Sequence, residues 1–252
     1  MKIRERIEIA VNDAPPEPCL DALKKAGFSF RFELGYVLLD DTFERGRIDR
    51  VRETLLRKGM EFEIFHSVFP EYSQTDFARA DLVVVTLPEI YIEGADFRWQ
   101  CSGCHRKFLR DPIDTMHLQI EESRAAFSIN GDINVVKAEV RNAIEGSGLK
   151  GFDCSTPVGA AGNLFRLRAQ KRFSERIIRS DEVLGLDAPC PECGHPRFGI
   201  LFGPPRFRQA EWAGMDAMEE SFTETLMLSP KALHFFRQFE SRIGVLEPVF
   251  VE

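Results

Sequence analysis

Two cysteine pairs constrain this chain more than any other feature. Cys101 and Cys104 lie in WQCSGCHRKF, and Cys190 and Cys193 lie in PCPECGHPRFG. A two-residue spacer makes a short turn that aims both thiolates of a pair at one ion, and two such pairs supply the four soft ligands of a closed zinc site. The expected ligand set is therefore Cys101, Cys104, Cys190 and Cys193 around a structural Zn2+. A site of this kind ties the chain near residue 101 to the chain near residue 193. It leaves no coordination position open, so it stabilises the fold and does not activate water. The residue after the second cysteine of such a knuckle often needs a positive φ, which glycine adopts without strain. Gly194 meets that need and His105 does not, so the first knuckle is expected to be the less regular half. His105 and His195 are read as surface residues beside the turns, with substitution as ligands the alternative. Two independent dithiols, one of them redox-active, form the rival reading. It is weakened because neither pair sits at the strand-to-helix junction of a thioredoxin-like unit.

The 252 residues carry a net charge of −7, with 44% hydrophobic and 29% charged residues, as in an ordinary folded domain or pair of domains. No apolar run is long enough to span a bilayer, and the opening MKIRERIEIAV is charged and alternating, unlike a signal peptide. A cytoplasmic protein is expected, with its six cysteines in a reducing compartment, where paired CxxC motifs mean metal or redox chemistry more often than disulfides. The acidic balance argues against a general nucleic-acid binder, because affinity for phosphate comes mainly from Lys and Arg.

Recognisable catalytic patterns are absent. Pro189–Cys193 matches the P-C-x-x-C half of the nucleobase deaminase signature, but none of the five histidines has a glutamate two residues on. Cys190 does, with Glu192, yet it already serves as the first cysteine of the P-C-x-x-C half. H-E-x-x-H, G-x-S-x-G and the P-loop do not occur. The GAAG at residues 159–162 lacks the lysine of a phosphate cradle and reads as a loop. No catalytic residues are assigned, and the chain is expected not to be an enzyme.

Periodicity suggests two regions, residues 1–96 and 97–252. In the first, RIEIAV alternates with Ile7, Ile9 and Val11 on one face, and Pro15, Pro16 and Pro18 follow. CLDALKKAG reads as a helix with Leu20, Leu23 and Ala26 inward, ended by Gly27. FSFRFEL reads as a strand with Phe28, Phe30, Phe32 and Leu34 inward. Residues 43–58 give a second helix with Ile48, Val51 and Leu55 buried, stopped by Gly59. EFEIF and the more deeply buried ADLVVVTLP are further strands. The expected class is α+β: small antiparallel or mixed sheets with helices packed on one face, plus the four-cysteine zinc ribbon.

The second region carries a weak strand–helix–strand repeat over residues 127–154 and 226–251. Val136, Val140 and Ala143 or Ile144 mark the buried stripe of the first copy, and Leu233, Phe236 and Phe239 or Glu240 that of the second. Ser229 and Pro230 look like an N-cap and N1 pair. Between the copies, GNLFRLRAQKRFSERIIR reads as a strand with Phe165, Leu167 and Ala169 inward and Arg166, Arg168 and Gln170 outward. Residues 166–179 hold Arg166, Arg168, Lys171, Arg172, Arg176 and Arg179 against Glu175 alone. The bland reading is a solvated face balanced by the acidic run that contains Asp216, Glu219 and Glu220.

From Ser128 to Glu252 the chain resembles the bacterial double-CXXCG-motif family, whose members are immunity proteins of contact-dependent or polymorphic toxin systems. The resemblance runs in order through VVKAEVRNAIEGSGLKGFDC, the basic strand, LGLDAPCPECGHPRFG, an acidic segment and TETLMLSPKALHFFRQFESRIGVLEPVFVE. With the upstream knuckle it covers roughly residues 97–252. The first knuckle departs from the pattern, being C-x-x-C-H, and residues 1–96 fall outside the resemblance. It implies a protein that binds and neutralises a cognate protein toxin by occlusion. Charge complementarity speeds such encounters and selects the partner. The candidate contact residues are Arg166, Arg168, Lys171 and Arg172, or Asp216, Glu219 and Glu220 if the toxin is basic. The rival is a zinc-ribbon nucleic-acid-binding or regulatory protein that uses the basic 166–179 strand.

Overall fold

The computed structural model describes residues 1–10, 17–59, 62–110, 113–221, 223 and 225–252, with Leu186 and Phe198 described by backbone only. Val11, Pro15, Pro16 and Glu61 of the expected elements lie outside these residues. The chain divides into two compact units, residues 1–73 with 200–202, and residues 74–199 with 203–252.

The first unit holds strands Lys2–Ala10, Arg31–Glu33, Tyr36–Thr42 and Ile64–Glu71 and helices Glu17–Lys25 and Arg47–Leu56. Its sheet is antiparallel in the order Arg31–Glu33, Tyr36–Thr42, Lys2–Ala10, Ile64–Glu71. The first strand therefore lies inside the sheet, and each helix returns the chain across it, which is the split β-α-β plan. One sheet face buries Ile7, Ile9, Val37 and Leu39 against Cys19 and Leu23 of the first helix and Val51 and Leu55 of the second. Both helices thus cover one face, as the alternation of Ile7 and Ile9 requires. Ala22, not Ala26, faces inward on the first helix.

FSFRFEL departs from expectation. Only Arg31–Glu33 is strand, and it lies at the sheet edge. Phe28 and Phe30 pack partly on the core, but Phe32 is 47% and Leu34 90% exposed. Glu33 pairs with Tyr36, so Leu34 and Gly35 form a two-residue hairpin turn, and both take positive φ (50° and 82°). Such a turn favours Asn-Gly, and leucine occupies its first position under strain. The next strand, Tyr36–Thr42, buries Val37, Leu38 and Leu39 in succession. This run hides the alternation that would have announced it. EFEIF is also displaced, because the strand begins at Ile64 and runs to Glu71.

The second unit is built on two larger sheets. The six-stranded one has the order Arg172–Phe173, Ala217–Glu220, Leu226–Leu228, Leu82–Thr86, Gly244–Val251, Arg206–Phe207. Leu82–Thr86 is buried on both faces: Val83 and Val85 join Val140, Ile144 and Phe236, while Leu82 and Val84 join Phe173, Phe207 and Met218. That is why it reads as a continuous apolar run. It precedes residue 96 in the chain, yet it hydrogen-bonds to Leu226–Leu228 and Gly244–Val251. The unit boundary accordingly falls at Ser73, not at residue 96.

The five-stranded sheet has the order Pro157–Val158, Leu164–Arg166, Ile133–Lys137, Ala126–Ile129, Glu89–Ile90. Helices Ala138–Ser147 and Pro230–Arg237 share one core through Val140, Ile144, Ala232 and Phe236. Ser229 caps the second helix, its hydroxyl oxygen accepting from the Ala232 N–H at 3.1 Å, with Pro230 in the first turn. The first helix follows Lys137 without a side-chain cap and ends at Gly148 with φ 72°. No helix among the described residues is long and apolar enough to cross a membrane.

Candidate metal centre

Each knuckle is the tip of a two-stranded hairpin. The first joins Arg98–Gln100 to Lys107–Leu109, and the second joins Val183–Asp187 to Arg197–Leu201. Their backbones repeat the same hydrogen bonds. Cys101 N donates to Arg106 O at 2.9 Å and His105 N to Cys101 O at 2.8 Å; Cys190 N donates to His195 O at 3.0 Å and Gly194 N to Cys190 O at 2.8 Å. His105 (φ 58°) and Gly194 (φ 70°) both occupy the left-handed region. The first knuckle is therefore as regular as the second, and its irregularity is a histidine held where glycine is easier.

The turns bring the four sulfurs together. Cys101 Sγ lies 3.8 Å from Cys190 Sγ, and Cys104 Sγ lies 3.7 Å from Cys193 Sγ. All four lie within 4.8 Å of one another. A tetrahedral ion with metal–sulfur bonds of about 2.3 Å sets its sulfurs roughly 3.8 Å apart, so the cluster has the dimensions of a four-thiolate metal site. A disulfide would need about 2.05 Å, and all six cysteines are free thiols. Cys101 and Cys190 are buried, and Cys104 and Cys193 are half-buried.

Local electrostatics favour charge on one sulfur of the cluster. The backbone N–H groups of Cys193 and Glu192 point at the Cys190 sulfur and pull its pKa down to about 7. Burial pushes Cys193 up to about 12. Four clustered thiols, two buried and two half-buried, thus lack the countercharge that would let all of them ionise, and a divalent cation supplies it. The set can hold a metal ion, with every tetrahedral position filled by sulfur.

Glu192 is a part of this centre that spacing alone did not single out. Its carboxylate accepts a short hydrogen bond from the Ser102 hydroxyl, which lowers its pKa, and lies 3.8 Å from Cys101 Sγ. It therefore links one knuckle to the other without a metal. Gly103 leaves room for it, since a Cβ there would come within 3.0 Å of the Glu192 side chain. Both Ser102 and Glu192 occupy spacer positions of the CxxC pairs, which was the available signal. His105 is exposed, as expected. His195 is not a surface residue: it is buried, its Nδ1–H donates to Pro196 O at 2.5 Å, and its ring lies 5.8 Å from Phe108. Burial holds its pKa below the usual value.

The expected charged contact face is turned inward. Residues 164–173 form three short strands, not one. Arg166, expected outward, is 8% exposed, and Glu219 and Glu220 are 2% and 6% exposed. Arg172–Phe173 pairs in parallel with Glu219–Glu220, so the basic and acidic runs meet in adjacent strands. Glu219 Oε2 lies 3.3 Å from Arg172 Nε and 3.8 Å from Arg168 Nε, and its Oε1 accepts from Ala169 N at 2.9 Å. Glu220 receives two hydrogen bonds from Arg176, at 2.5 and 2.9 Å. Asp216 accepts from Lys150 N at 2.9 Å and from the Ser229 hydroxyl at 2.7 Å, which anchors the cap of the last helix. Of the seven candidate contact residues Arg166, Arg168, Lys171, Arg172, Asp216, Glu219 and Glu220, only Lys171 is exposed. The acidic run balances the basic one, as the bland reading had it, but as a buried network and not a solvated face.

No protein-family model, curated protein or solved structure matches the chain.

Proposed function

We propose that this is a cytoplasmic immunity protein that binds and neutralises a cognate bacterial toxin by occlusion, on a scaffold pinned by structural zinc. The observation that carries the reading is the convergence of Cys101, Cys104, Cys190 and Cys193 on one tetrahedral volume. It gives physical meaning to the paired motifs on which the family resemblance rests. A closed four-thiolate centre leaves no site for substrate at the metal, so its role is to hold surrounding surface rigid. A rigid surface binds a protein partner with less entropy lost on ordering. Zinc is favoured over other soft ions by the all-thiolate tetrahedral set.

The rival nucleic-acid reading is weakened by the arginine network. Phosphate contacts need available cations, whereas Arg168, Arg172 and Arg176 face buried carboxylates. The same burial favours a toxin-binding face outside Arg166, Arg168 and Arg172. Co-expression with the cognate toxin tests the function. Full protection with a stoichiometric complex supports it, and salt-dependent binding to bulk DNA or RNA without protection would refute it.

A further inference from the structure

The sheet of the first unit ends in two unlike edges. One is Arg31–Glu33, three residues long, whose Arg31 and Glu33 side chains pair with each other at 3.2 Å. The other is Ile64–Glu71, eight residues long. The outer strands of the two larger sheets, Pro157–Val158, Glu89–Ile90, Arg172–Phe173 and Arg206–Phe207, have two residues each. Short edges, edge lysines and bulges keep a sheet from adding foreign strands. Ile64–Glu71 is long, contains no Lys or Arg, and pairs with Lys2–Ala10 without a bulge.

The ladder fixes which backbone groups this edge leaves open. Ala10 N donates to Glu63 O at 2.9 Å, in the same register that sets Ile9 opposite Ile64. Hydrogen-bonded pairs alternate along an antiparallel ladder, so Phe65, Ser67 and Phe69 turn their N–H and C=O groups toward Lys2–Ala10. Ile64, His66, Val68 and Pro70 turn theirs outward, and among the described residues no other backbone group bonds to them. Pro70 has no N–H to offer. What remains open is a set of N–H and C=O groups on Ile64, His66 and Val68, symmetric about His66 and bounded on one side by Pro70.

We propose that this edge pairs with the same edge of a second copy of the chain, antiparallel about a two-fold axis at His66, so that two four-stranded sheets become one. The symmetry of the open groups singles out a second copy. Turned about that axis, Ile64 bonds to Val68 of the second copy and His66 to His66, and every open N–H meets a C=O. Registers shifted toward Glu71 bring Pro70 into the ladder and leave a carbonyl without a donor. The side chains agree with this register, because residues opposite each other share a face of the sheet. Ile64 meets Val68 on the helix-covered face, and Phe65, 43% exposed, packs on Ser67 of the second copy on the open face. Each His66 ring stays on the Glu5 carboxylate of its own copy, at 2.8 Å. The contact is isologous and closes after two chains. It does not rest on toxin neutralisation, and a protein that failed to protect cells could still pair in this way.

Sedimentation velocity and amide hydrogen exchange on the full-length, zinc-loaded protein test the proposal. Sedimentation should show a concentration-dependent two-chain species. In that species the amides of Ile64, His66 and Val68 should exchange at least about tenfold more slowly than after dilution to the single chain, while those of Phe65, Ser67 and Phe69 change little. Ile64→Pro removes an outward N–H at the first residue of the strand, where proline is tolerated, and should weaken association at least about tenfold. Ser67→Lys, at an exposed position, should do the same by placing a charge beside the seam, and it keeps the test open if the proline variant melts early. Phe32→Lys, on the Arg31–Glu33 edge, should leave association unchanged. A single chain at every concentration, a two-chain species without alternating protection, or association indifferent to Ser67→Lys would overturn the proposal. So would alternating protection that appears only when the toxin is added, which would assign the edge to a strand of the toxin.

Discussion

The two units close their cores by different means. Residues 1–73 lay two helices over one sheet face and bury Ile7, Ile9, Leu23, Val51 and Leu55 in a single apolar cluster. Residues 74–252 spread their apolar residues over three clusters and join distant segments through the four-cysteine centre and the Arg–Glu network. Both bury a carboxylate. Glu5, 1% exposed, lies 2.8 Å from His66 Nε2 and 3.6 Å from Arg47 Nε, and Glu219 meets Arg168 and Arg172. The difference lies in how the pieces are held. One hydrophobic face can organise a short antiparallel sheet, but hairpins as small as Arg98–Leu109 bury too little to fix their own position.

Metal removal should separate the two units most sharply. Binding of structural zinc is worth about 10–16 kcal/mol in small zinc-dependent folds and is linked to folding. Chelation, or Cys190→Ser, should lower the melting transition of residues 74–252 by more than about 10 °C and leave that of residues 1–73 in place. Elemental analysis of protein purified without added metal should find about one zinc per chain, the occupancy of one closed four-thiolate site. Cys19→Ser and Cys154→Ser should keep the metal. Identical calorimetric traces for metal-free and metal-loaded protein would remove the structural role.

Next in size is the buried ion network. Glu219→Ala removes the buried carboxylate that the half-buried Arg168 and Arg172 face, and breaking a buried pair from one side costs up to about 3–5 kcal/mol. Arg168→Glu should be comparably damaging, whereas an exposed charge reversal costs under about 0.5 kcal/mol. Urea unfolding measures both. Loss of less than about 1 kcal/mol from either variant would show the network to be more solvated than its burial implies. In the first unit, Leu23→Ala should cost about 3 kcal/mol by opening a cavity between helix and sheet, without changing metal content.

These contrasts also show which features could be read from the chain. The four thiolates were legible because metal coordination depends on few residues at fixed spacing, and Ile7, Ile9, Val51 and Leu55 because one-sided burial imposes a period. FSFRFEL was misleading because alternation reports amphipathicity and not which strands lie at an edge. Glu219 and Arg172 were misplaced for a related reason. Charged residues read as surface, and their burial depends on the parallel pairing of two strands nearly fifty residues apart, which local sequence does not encode. Lys171, in the link between Arg168–Ala169 and Arg172–Phe173, is exposed as the pattern implied.

Acid should test one carboxylate of the first unit. Burial by itself would raise the pKa of Asp40, but hydrogen bonds from Arg6 and Arg4 outweigh it and hold the carboxyl below its usual value. A carboxylate with a depressed folded pKa stabilises the fold above its unfolded pKa and loses that contribution as pH falls through the folded one. The loss should therefore begin below about pH 4. Asp40→Asn should flatten the stability curve of residues 1–73 there by about 1 kcal/mol or less, given that the pair is partly exposed. An unchanged acid limb would mean that the arginines do not distinguish the two protonation states.

The smallest expected effect compares the two knuckles directly. His105 and Gly194 hold the same backbone position with φ of 58° and 70°, and they donate equivalent hydrogen bonds to Cys101 O and Cys190 O. A left-handed conformation costs an L-residue about 1–2 kcal/mol, less for histidine than for a bulkier side chain, and glycine gives part of that back in unfolded-state entropy. His105→Gly should therefore stabilise residues 74–252 by about 0.5 kcal/mol at unchanged zinc content. Gly194→His, which adds strain to the second knuckle, should destabilise by about 1 kcal/mol. One interaction opposes the gain. The Ser102 hydroxyl hydrogen bond is the main cause of the lowered Glu192 pKa, and a protonated His105 would add a smaller attraction to this carboxyl, which bridges the knuckles. If His105→Gly destabilises the protein and Glu192→Gln removes that difference, the histidine is retained for its charge beside the bridge. Calorimetry of the two single variants and the double variant separates backbone strain from this attraction, because only the attraction produces coupling between them.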